Sequence, residues 1–338
     1  MSTRNALVLP ERRGEFKVAD VPIPKPGKGE ILVRIHSVGL NPIDWKIQKH
    51  GLEHHLKEYP AILGLDSAGV VEEVGEGVTK FQKGDKVFHE GNLNVRSGAY
   101  QQYTVAPADL VAKIPSNLSF DQAASIPLCI MTASVGLYVK DGAGLQGPWD
   151  GGEGKYEDQS IVIFGGASSV GLFAIQLAKL SGFSTIIATC SDCNTELVKS
   201  RGATHAIDRN ADVVAEVKKI LSEPFNLVWD TVAAEDTQHQ AIKILASDGT
   251  LLLVGPPEES VKAVKGDRKL YRVFGSPYMH RELATSMYTK LTDYFESGKL
   301  KTTAVEVLPN GLAGIPAGLQ RMRENKVSAV KLIVRPQE

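Results

Sequence analysis

A glycine- and serine-rich turn between two apolar segments is the part of this sequence best suited to bind a ligand. Residues 161–164 form a short apolar run, typical of a strand buried on both faces of a parallel sheet, and residues 172–179 have helical periodicity. Small residues in the turn would let backbone N–H groups approach a pyrophosphate at the start of the helix. The candidate cofactor-binding residues here are Gly165, Ser168, Ser169, Val170 and Gly171. Ser168 stands where a middle glycine is usual, so a strand–turn–helix unit of an unrelated α/β fold remains an alternative.

Length, charge and composition exclude several classes of protein. A chain of 338 residues is long enough for two domains, because single hydrophobic cores stop growing below that length. A net charge of −1 gives no electrostatic reason to expect nucleic acid or an anionic membrane as a partner. No apolar window reaches transmembrane length, and the N-terminal residues lack the apolar core of a signal peptide. Three cysteines do not make a disulfide framework, so a cytoplasmic protein is expected.

The first third of the chain is rich in β patterns and turns, which favours a small antiparallel barrel. Strands are expected at residues 5–9, 31–38, 62–74 and 86–88. Residues 98–105 alternate between apolar and polar side chains like a half-buried strand.

Four motifs in this region carry a resemblance to a known family. GLNPIDWKI, GLDSAGVVEEVGEGV, KGDKV and GAYQQYTV follow one another in the order and at the spacings of the medium-chain dehydrogenase/reductase superfamily. The resemblance implies an α/β protein with a GroES-like β-barrel catalytic domain, residues 1–125 and 277–338. It also implies a Rossmann domain, residues 126–276, whose doubly wound parallel sheet binds NADP(H). The C-terminal motifs ESGKL, EVLPNGL and NKVSAVKLIV resemble the zinc-free quinone-oxidoreductase-like branch, closest to the fungal trans-acting enoyl reductases.

The resemblance also locates the positions of metal ligands in related proteins. In zinc-dependent alcohol dehydrogenases a cysteine stands at the position of Asn41, a His-Glu pair at Leu65 and Asp66, and a further ligand at Leu128. Leucine cannot coordinate a metal, and an asparagine amide is a poor zinc ligand. Three cysteines are too few for the four-cysteine structural site, so we expect no zinc. Three histidines in a charged, exposed segment are not interpreted as ligands: His50, His54 and His55.

Two residues are expected at the reacting end of the cofactor. The resemblance places residues 41–46 as a loop over the nicotinamide, with Lys46 either binding the cofactor ribose or donating to the substrate carbonyl. Lys46 could equally be an exposed surface lysine. In the same loop Asp44 is a candidate cofactor contact, and Trp45 either walls the substrate pocket or packs in the barrel. Thr132, in the helix that opens the nucleotide domain, either faces the nicotinamide or is a core threonine.

The expected cofactor is NADPH. Relatives that prefer NAD carry an acid at the end of the second strand, where this sequence has Cys190. A neutral residue removes the repulsion that a carboxylate would exert on a 2′-phosphate. Ser191 and Asn194 offer hydrogen bonds, and Arg209 falls where relatives contact that phosphate. Cys193 stands where NADPH-preferring fungal relatives usually carry a lysine, which weakens the case, and Asp192 leaves some room for NADH.

Two further strands should reach the substrate. The resemblance makes residues 249–255 the fifth strand of the Rossmann sheet, with Val254 and Gly255 bordering the nicotinamide. Residues 271–276 would be the sixth strand, entering the substrate cleft. The candidate substrate-binding residues are Trp45, Phe274, Gly275 and Ser276.

The absence of zinc ligands limits the chemistry. Alcohol oxidation in this superfamily uses zinc to polarise the oxygen. Without the metal, the feasible reaction is hydride transfer from NADPH to an activated acceptor, such as a C=C bond beside a carbonyl, or a quinone. We therefore expect a zinc-independent enoyl or enone reductase, with a quinone oxidoreductase or a non-catalytic nucleotide-binding accessory protein as alternatives. The substrate would be a small molecule or a carrier-bound enoyl group, with a polyketide synthase as a candidate partner. The oligomeric state stays open.

Overall fold

The computed structural model describes residues 2–52, 56 and 58–338. Contacts between residues divide the chain into two units. Unit 1 comprises Met1–Leu128, Tyr288–Gly298 and Thr302–Glu338, and unit 2 comprises Cys129–Met287 and Lys299–Lys301. The domain boundaries expected from the sequence stay a prediction.

The elements follow one another along the chain in three groups. The first group is β1 (Thr3–Leu9), β2 (Lys17–Pro22), β3 (Glu30–Gly39), α1 (Pro42–His50), β4 (Ala61–Ile62), β5 (Asp66–Val74), β6 (Lys86–Glu90), β7 (Tyr103–Pro107), β8 (Val111–Lys113), α2 (Phe120–Ala123) and α3 (Pro127–Tyr138). The second is β9 (Ser160–Phe164), α4 (Ser169–Ser181), β10 (Thr185–Cys190), α5 (Thr195–Arg201), β11 (His205–Asp208), α6 (Val213–Ile220), β12 (Phe225–Asp230), α7 (Glu235–Ile244), β13 (Leu245–Leu253), α8 (Glu259–Val264) and β14 (Lys269–Arg272). The third is α9 (Arg281–Glu296), β15 (Ala304–Val307), α10 (Ile315–Arg323) and β16 (Val330–Val334).

Unit 1 is built on two sheets. Strands β2, β1 and β4 form the smaller sheet, and the larger has the order β15-β16-β3-β5-β6-β8 with β7 also paired to β3. The β15–β16 pair is parallel, and the other pairs of the larger sheet are antiparallel. Inward-facing residues such as Leu9, Ile35 and Leu332 are completely buried in its core, as the alternating strand pattern requires. The predicted GroES-like architecture is confirmed.

The prediction of a strand over residues 98–105 was wrong for its first half. Only β7, from Tyr103, is a strand there. Before it, the backbone N–H groups of Ala99 and Tyr100 donate to the carbonyls of Gly64 and Leu63, both at 2.9 Å. This segment is therefore held by the residues before β5 and by an isolated bridge from Gln101 to Ala6 of β1, which an alternating pattern does not distinguish from a continuous strand.

The sheet of unit 2 is parallel throughout, in the order β11-β10-β9-β12-β13-β14. The chain runs outward from β9 to β11, returns to the other side of β9, and runs outward again from β12 to β14. This reversal creates a switch point between the carboxyl ends of β9 and β12, where open α/β sheets bind ligands. In β9, Val162 and Phe164 are buried, as expected for a central parallel strand. The predicted Rossmann fold is confirmed.

Two strands of unit 2 end earlier than predicted. Strand β13 ends at Leu253 and β14 at Arg272, so the candidate residues after them lie in the connections at the carboxyl edge of the sheet. The apolar runs continue past the last paired residue, because these connections are themselves partly buried. A residue's place at the edge is thus a better guide to ligand contact than membership of a strand.

The expectation that no apolar window reaches transmembrane length was wrong, because one apolar segment among the described residues, Phe120–Tyr138, is long enough to cross a membrane by length and composition alone. Most of its apolar window, 78%, is buried inside the protein, as in the core helix of a folded domain.

Candidate functional site

The glycine-rich turn lies at the switch point of unit 2, and its backbone is tightly folded. Gly165 has a φ of 73°, and a Cβ at this residue would lie 2.7 Å from the Val232 side chain and 2.8 Å from Thr231 Oγ1. A Cβ on Gly171 would lie 2.4 Å from the Gly165 carbonyl oxygen. Glycine is therefore required at both ends of the turn. Gly165 is required for its positive φ, and Gly171 is required for the close approach to the Gly165 carbonyl.

Ser168 is the N-cap of α4, which explains a serine in place of the usual glycine. Its Oγ accepts a hydrogen bond from the Gly171 N–H at 2.9 Å and lies 2.9 Å from Thr231 Oγ1. The Thr231 hydroxyl is also within 2.7 Å of the Phe164 carbonyl oxygen and 3.0 Å of the Gly165 carbonyl oxygen. Thr231, which directly follows β12, is thus hydrogen-bonded to the end of β9. It was missed in the sequence analysis, and its only signal is a hydroxyl directly after the residues that form β12.

The first residues of α4, Ser169 and Val170, are half-buried. The first N–H groups of a helix have no carbonyl acceptor in a preceding turn, and the helix dipole makes this end electropositive. The turn therefore presents backbone N–H groups to an anion, and a pyrophosphate fits this chemistry. All five residues predicted for this role lie within one turn and the start of one helix.

The residues predicted to hold a 2′-phosphate cluster at the carboxyl end of β10. Cys190 ends this strand and is 3% exposed, and the Arg209 N–H donates to its carbonyl oxygen at 2.8 Å. Ser191 follows and is half-buried, while the Arg209 side chain is exposed. Asn194 lies in the short turn that leads into α5. Burial raises the pKa of the Cys190 thiol, so this thiol is neutral near pH 7. The predicted 2′-phosphate site therefore has no negative charge at the end of β10.

Thr132 and Gly275 were predicted on different elements and lie against each other in unit 2. A Cβ on Gly275 would lie 2.2 Å from Thr132 Oγ1 and 2.6 Å from its Cα. Thr132 is 8% exposed on α3, and the residues flanking the glycine, Phe274 and Ser276, are half-buried. The structure therefore brings one predicted catalytic residue together with the predicted substrate-binding segment.

Val254 and Gly255 follow β13 at the same edge of the sheet. The Val254 N–H donates to the carbonyl oxygen of Asp230 at 3.3 Å. The Asp230 carboxylate is itself buried, and it accepts from the Thr237 hydroxyl at 2.6 Å and from the backbone N–H groups of Val232 and Ala233. Burial raises the pKa of Asp230 although these bonds lower it. Its side chain serves to shape the edge on which Val254 and Gly255 lie.

The predicted loop over residues 41–46 was wrong, because these residues begin helix α1 of unit 1. Asn41 is the N-cap, Pro42 the first helical residue, and Asp44 accepts from the Asn41 N–H at 3.0 Å. Lys46 is exposed on this helix, with Nζ 5.8 Å from the centroid of the Trp45 ring. Trp45 is half-buried and packs against the core of unit 1, which agrees with the packing alternative. The roles proposed for both residues in binding stay predictions.

Asp44, predicted to contact the cofactor, is completely buried. Its Oδ2 accepts from the Tyr100 hydroxyl at 2.6 Å and from Asn41, and its Oδ1 accepts from the Gly64 N–H at 3.3 Å. Burial raises the pKa of Asp44 to about 6, against the opposing effect of the bonds from Tyr100 and Asn41. These contacts hold the start of α1 to the rest of unit 1, and the cofactor role of Asp44 stays a prediction.

The positions that bind zinc in related dehydrogenases meet around one carboxylate in unit 1. Asp66 Oδ1 accepts from the Leu128 N–H at 2.6 Å, and Oδ2 accepts from Asn41 Nδ2 at 2.8 Å. The ammonium of Lys331 lies 2.7 Å from Asp66 Oδ2 and donates to Asn41 Oδ1 at 2.6 Å. Lys331 was missed in the sequence analysis. A single lysine within the apolar run of β16 was its only signal.

A further carboxyl group lies beside this pair. Glu90 is opposite Asp66 in the register of β5 and β6 and is 2% exposed. Burial raises the pKa of Glu90 well above its usual value, the Asp66 charge raises it further, and Lys331 lowers it. The region around Lys331 thus holds more acidic groups than basic ones, and burial favours the neutral form of Glu90.

The donors at this position do not fit zinc. Zinc in proteins prefers thiolate, imidazole and carboxylate ligands. Here the carboxylate is already paired with an ammonium, and neither Leu65 nor Leu128 has a side-chain donor. Within residues 2–52, 56 and 58–338, no group of three or more His, Cys, Asp or Glu side chains could hold a metal ion. Of the three histidines considered earlier, His50 is exposed, and His54 and His55 lie outside the described residues.

Comparison with known proteins assigns the chain to a family. The alcohol dehydrogenase GroES-like domain matches residues 27–116, and the zinc-binding dehydrogenase domain matches residues 169–294. A trans-enoyl reductase of a Penicillium species is 30% identical over 358 residues, covering 98% of this chain and 98% of that protein.

Solved structures agree with this assignment. A quinone oxidoreductase of Pseudomonas syringae pv. Tomato has a TM-score of 0.78 at 26% identity, covering 98% of this chain and 100% of that chain. A mycobacterial protein complexed with NADPH has a TM-score of 0.77 at 25% identity, with the same coverage of 98% and 100%. The fold and site therefore define an oxidoreductase built from a GroES-like and a Rossmann-like part. The chain belongs to the medium-chain dehydrogenase/reductase family, as the motifs indicated.

Proposed function

We propose that this oxidoreductase uses NADPH to reduce a C=C bond activated by a neighbouring carbonyl, without a metal ion. The observation that carries this proposal is the buried pair of Asp66 and Lys331 at the position of the metal ligands. Because the side chains there cannot assemble a zinc site, the part of the chain that the structure describes provides no Lewis acid to polarise an alcohol or a simple ketone. The similar trans-enoyl reductase supports the class of acceptor, and the similar structure complexed with NADPH supports the cofactor.

The cofactor would be held by unit 2. Backbone N–H groups at Ser169 and Val170 would bind the pyrophosphate. Arg209, Ser191 and Asn194 would bind the 2′-phosphate, next to a thiol that burial keeps neutral. A guanidinium and hydroxyl donors match a phosphate dianion, whereas an acid at this position would repel it.

When bound, NADPH supplies the hydride, and the residues of this chain orient the acceptor and stabilise the charge that develops on it. Reduction of an enone builds negative charge on the carbonyl oxygen, which a hydrogen-bond donor stabilises. We assign Lys46 either to this oxygen or to the cofactor ribose, and Thr132 to the nicotinamide. Trp45 and the segment of Phe274, Gly275 and Ser276 would contact the substrate.

Quinone reduction is a second candidate, because a quinone is also an activated acceptor and needs no metal. The similarity to the Pseudomonas quinone oxidoreductase supports it. The acceptor could be free or bound to a carrier, and in the second case a polyketide synthase would be the partner.

Turnover with a panel of acceptors tests the proposal. NADPH oxidation is followed by absorbance with an enone, an enoyl thioester, a quinone, a simple ketone and, in reverse, an alcohol. We expect the enone or enoyl thioester to react fastest and the ketone and alcohol to react negligibly, with and without a chelator. Faster oxidation of an alcohol than reduction of any enone or quinone would overturn the proposal at its root.

The role of Lys46 is tested by Lys46→Ala, with Lys49→Ala as the control. Both lysines are exposed on α1, and Lys49 pairs with Glu15 at 3.5 Å. Lys46→Ala should lower kcat or weaken NADPH binding with every acceptor, while Lys49→Ala should behave like the parent. Parent-like values for Lys46→Ala would return this residue to the class of surface lysines, although the reductase could still stand.

A further inference from the structure

Lys331 is a fixed cation inside unit 1. It is 3% exposed, and its ammonium contacts Asp66 Oδ2 at 2.7 Å and Asn41 Oδ1 at 2.6 Å. A lysine is almost never buried to this degree unless it is paired, since the charged form loses its hydration. The same carboxylate also accepts from Asn41 Nδ2 and from the Leu128 N–H. The Lys331 ammonium, the Asp66 carboxylate and the Asn41 amide are therefore each bonded to the other two.

The surrounding backbone leaves room for this lysine. A Cβ on Gly39 would lie 2.8 Å from Lys331 Cε, 3.0 Å from Asp66 Cβ and 2.5 Å from the Ala124 carbonyl oxygen. A side chain at residue 39 would therefore push against the lysine stem on one side and the backbone before α3 on the other. The absence of a side chain at Gly39 therefore leaves the room that the Lys331 side chain occupies.

We propose that the Lys331 ammonium takes the place of the zinc ion as the cation of this position and keeps the position closed to metal ions. The positions of the related zinc ligands converge on the carboxylate that Lys331 neutralises. One ammonium already satisfies that carboxylate and the Asn41 amide oxygen. A divalent ion brought to the same place would meet a fixed positive charge within a few ångströms in a region that excludes water.

This cation would also join four segments of unit 1 without a metal. Asn41 caps α1, Asp66 begins β5, Leu128 lies in the first turn of α3, and Lys331 lies on β16. Each reaches the others through the Asp66 carboxylate or the lysine ammonium. A zinc-dependent protein would obtain such a junction from metal–ligand bonds, whereas here it is encoded entirely in the chain.

Rebuilding the zinc ligands with and without the lysine tests the proposal. The first variant carries Asn41→Cys, Leu65→His and Leu128→Cys, and the second adds Lys331→Met. Both are incubated with Zn²⁺ and dialysed, bound zinc is counted by elemental analysis, and Co²⁺ spectra report tetrahedral thiolate coordination. We expect the second variant to bind about one zinc per chain and the first to bind it at least tenfold more weakly. Equal uptake by both variants, or uptake by neither, would overturn the proposal.

A measurement on simpler variants covers the case in which the rebuilt proteins do not fold. Thermal unfolding is compared for the parent, Lys331→Met, and Lys331→Met combined with Asp66→Asn. Loss of the cation alone should lower Tm by roughly 5–15 °C, since it leaves the Asp66 charge buried and unpaired, and the second substitution should restore more than half of that loss. A Tm of Lys331→Met equal to that of the parent would show that this ammonium is not the cation on which the position depends.

Discussion

Two groups of polar residues, the buried network of unit 1 and the turn after β9 in unit 2, are held in opposite ways. In unit 1, Asp44, Asp66 and Lys331 are ionisable groups buried to between 0% and 3% exposure, with partners inside the same unit. In unit 2, the turn after β9 uses backbone N–H groups and the hydroxyls of Ser168 and Thr231, and these residues are half-buried. The buried groups of unit 1 are bonded to one another without a ligand, whereas the turn in unit 2 has backbone N–H groups that can donate to a ligand.

The difference follows from the cost of burial. A charged group inside a protein must be paired and hydrogen-bonded, because the loss of its hydration otherwise exceeds what its contacts return. Backbone N–H groups at a helix end carry no net charge and can exchange water for a phosphate with little penalty. Substitutions in the unit 1 network should therefore act mainly on stability, and those around the turn mainly on affinity.

Breaking the buried pair should have the largest effect. Asp66→Ala leaves the Lys331 ammonium uncompensated, so the free energy of unfolding should fall by about 3–5 kcal/mol. Glu306→Ala is the matched control, because Glu306 and Arg321 form a partly exposed pair with N–O distances of 2.6 and 3.0 Å, and its loss should cost about 0–1 kcal/mol. Urea unfolding of both variants measures the difference. Similar losses in the two would remove the contrast between buried and exposed charges.

The pH dependence of stability should report the next largest effect. Burial raises the pKa of Asp44 to about 6, whereas an unfolded aspartate has a pKa of about 3.9. As pH rises between these values the unfolded chain releases this proton first, so the contribution of Asp44 to stability falls by about 2 kcal/mol between pH 4 and 6.5.

Asp44→Asn isolates that contribution, because an amide does not titrate. The free energy of unfolding of the parent minus that of Asp44→Asn should decrease from pH 4 to pH 6.5 and then stay constant. A difference that rises with pH would mean that the hydrogen bonds from Tyr100 and Asn41 outweigh burial and that the carboxylate form is the one favoured in the fold.

A substitution at the proposed phosphate site should change affinity and leave stability nearly unaltered. Arg209→Ala removes one charge-assisted contact, worth about 1.5–3 kcal/mol, so NADPH should bind at least tenfold more weakly and NADH nearly as before. Lys199→Ala, which removes an exposed cation on α5, controls for a general charge effect. Calorimetric or fluorescence titration gives both dissociation constants. Equal affinity of the unmodified protein for the two cofactors would contradict the NADPH assignment.

The smallest expected effect concerns the serine in the turn. Because Ser168 caps α4, Ser168→Ala should lower the free energy of unfolding by about 0.5–2 kcal/mol, and Ser168→Gly by only a few tenths. Denaturation of the two variants checks the order. If glycine were the more damaging substitution, the conformational freedom that it adds to the unfolded chain would outweigh its preference for the cap position.

Local patterns in the sequence predicted unit 2 well. An apolar run followed by glycines placed β9 and the start of α4 within a few residues of where they lie. The same kind of local signal was present at Asn41, Pro42 and Asp44, which together mark the start of a helix. Assigning a loop there followed the resemblance to related proteins instead of these residues, and that assignment was wrong.

Contacts between distant residues could not be predicted in this way. Lys331 and Asn41 are separated by 290 positions, and neither side chain indicates its partner. Tyr100 was quoted within a motif, but its bond to Asp44 depends on the fold of the whole unit. The sequence therefore indicated that the metal position had lost its ligands, and the structure was needed to find the cation beside it.

The close approach of Gly275 to Thr132 limits how this protein can change. A side chain at residue 275 would overlap both the hydroxyl and the backbone of Thr132, so selection or design for a new acceptor has little access to this position. Variation is possible at Phe274 and Ser276, whose side chains already occupy partly open space. A library that tests the proposed substrate contacts should therefore keep the glycine and diversify its two neighbours.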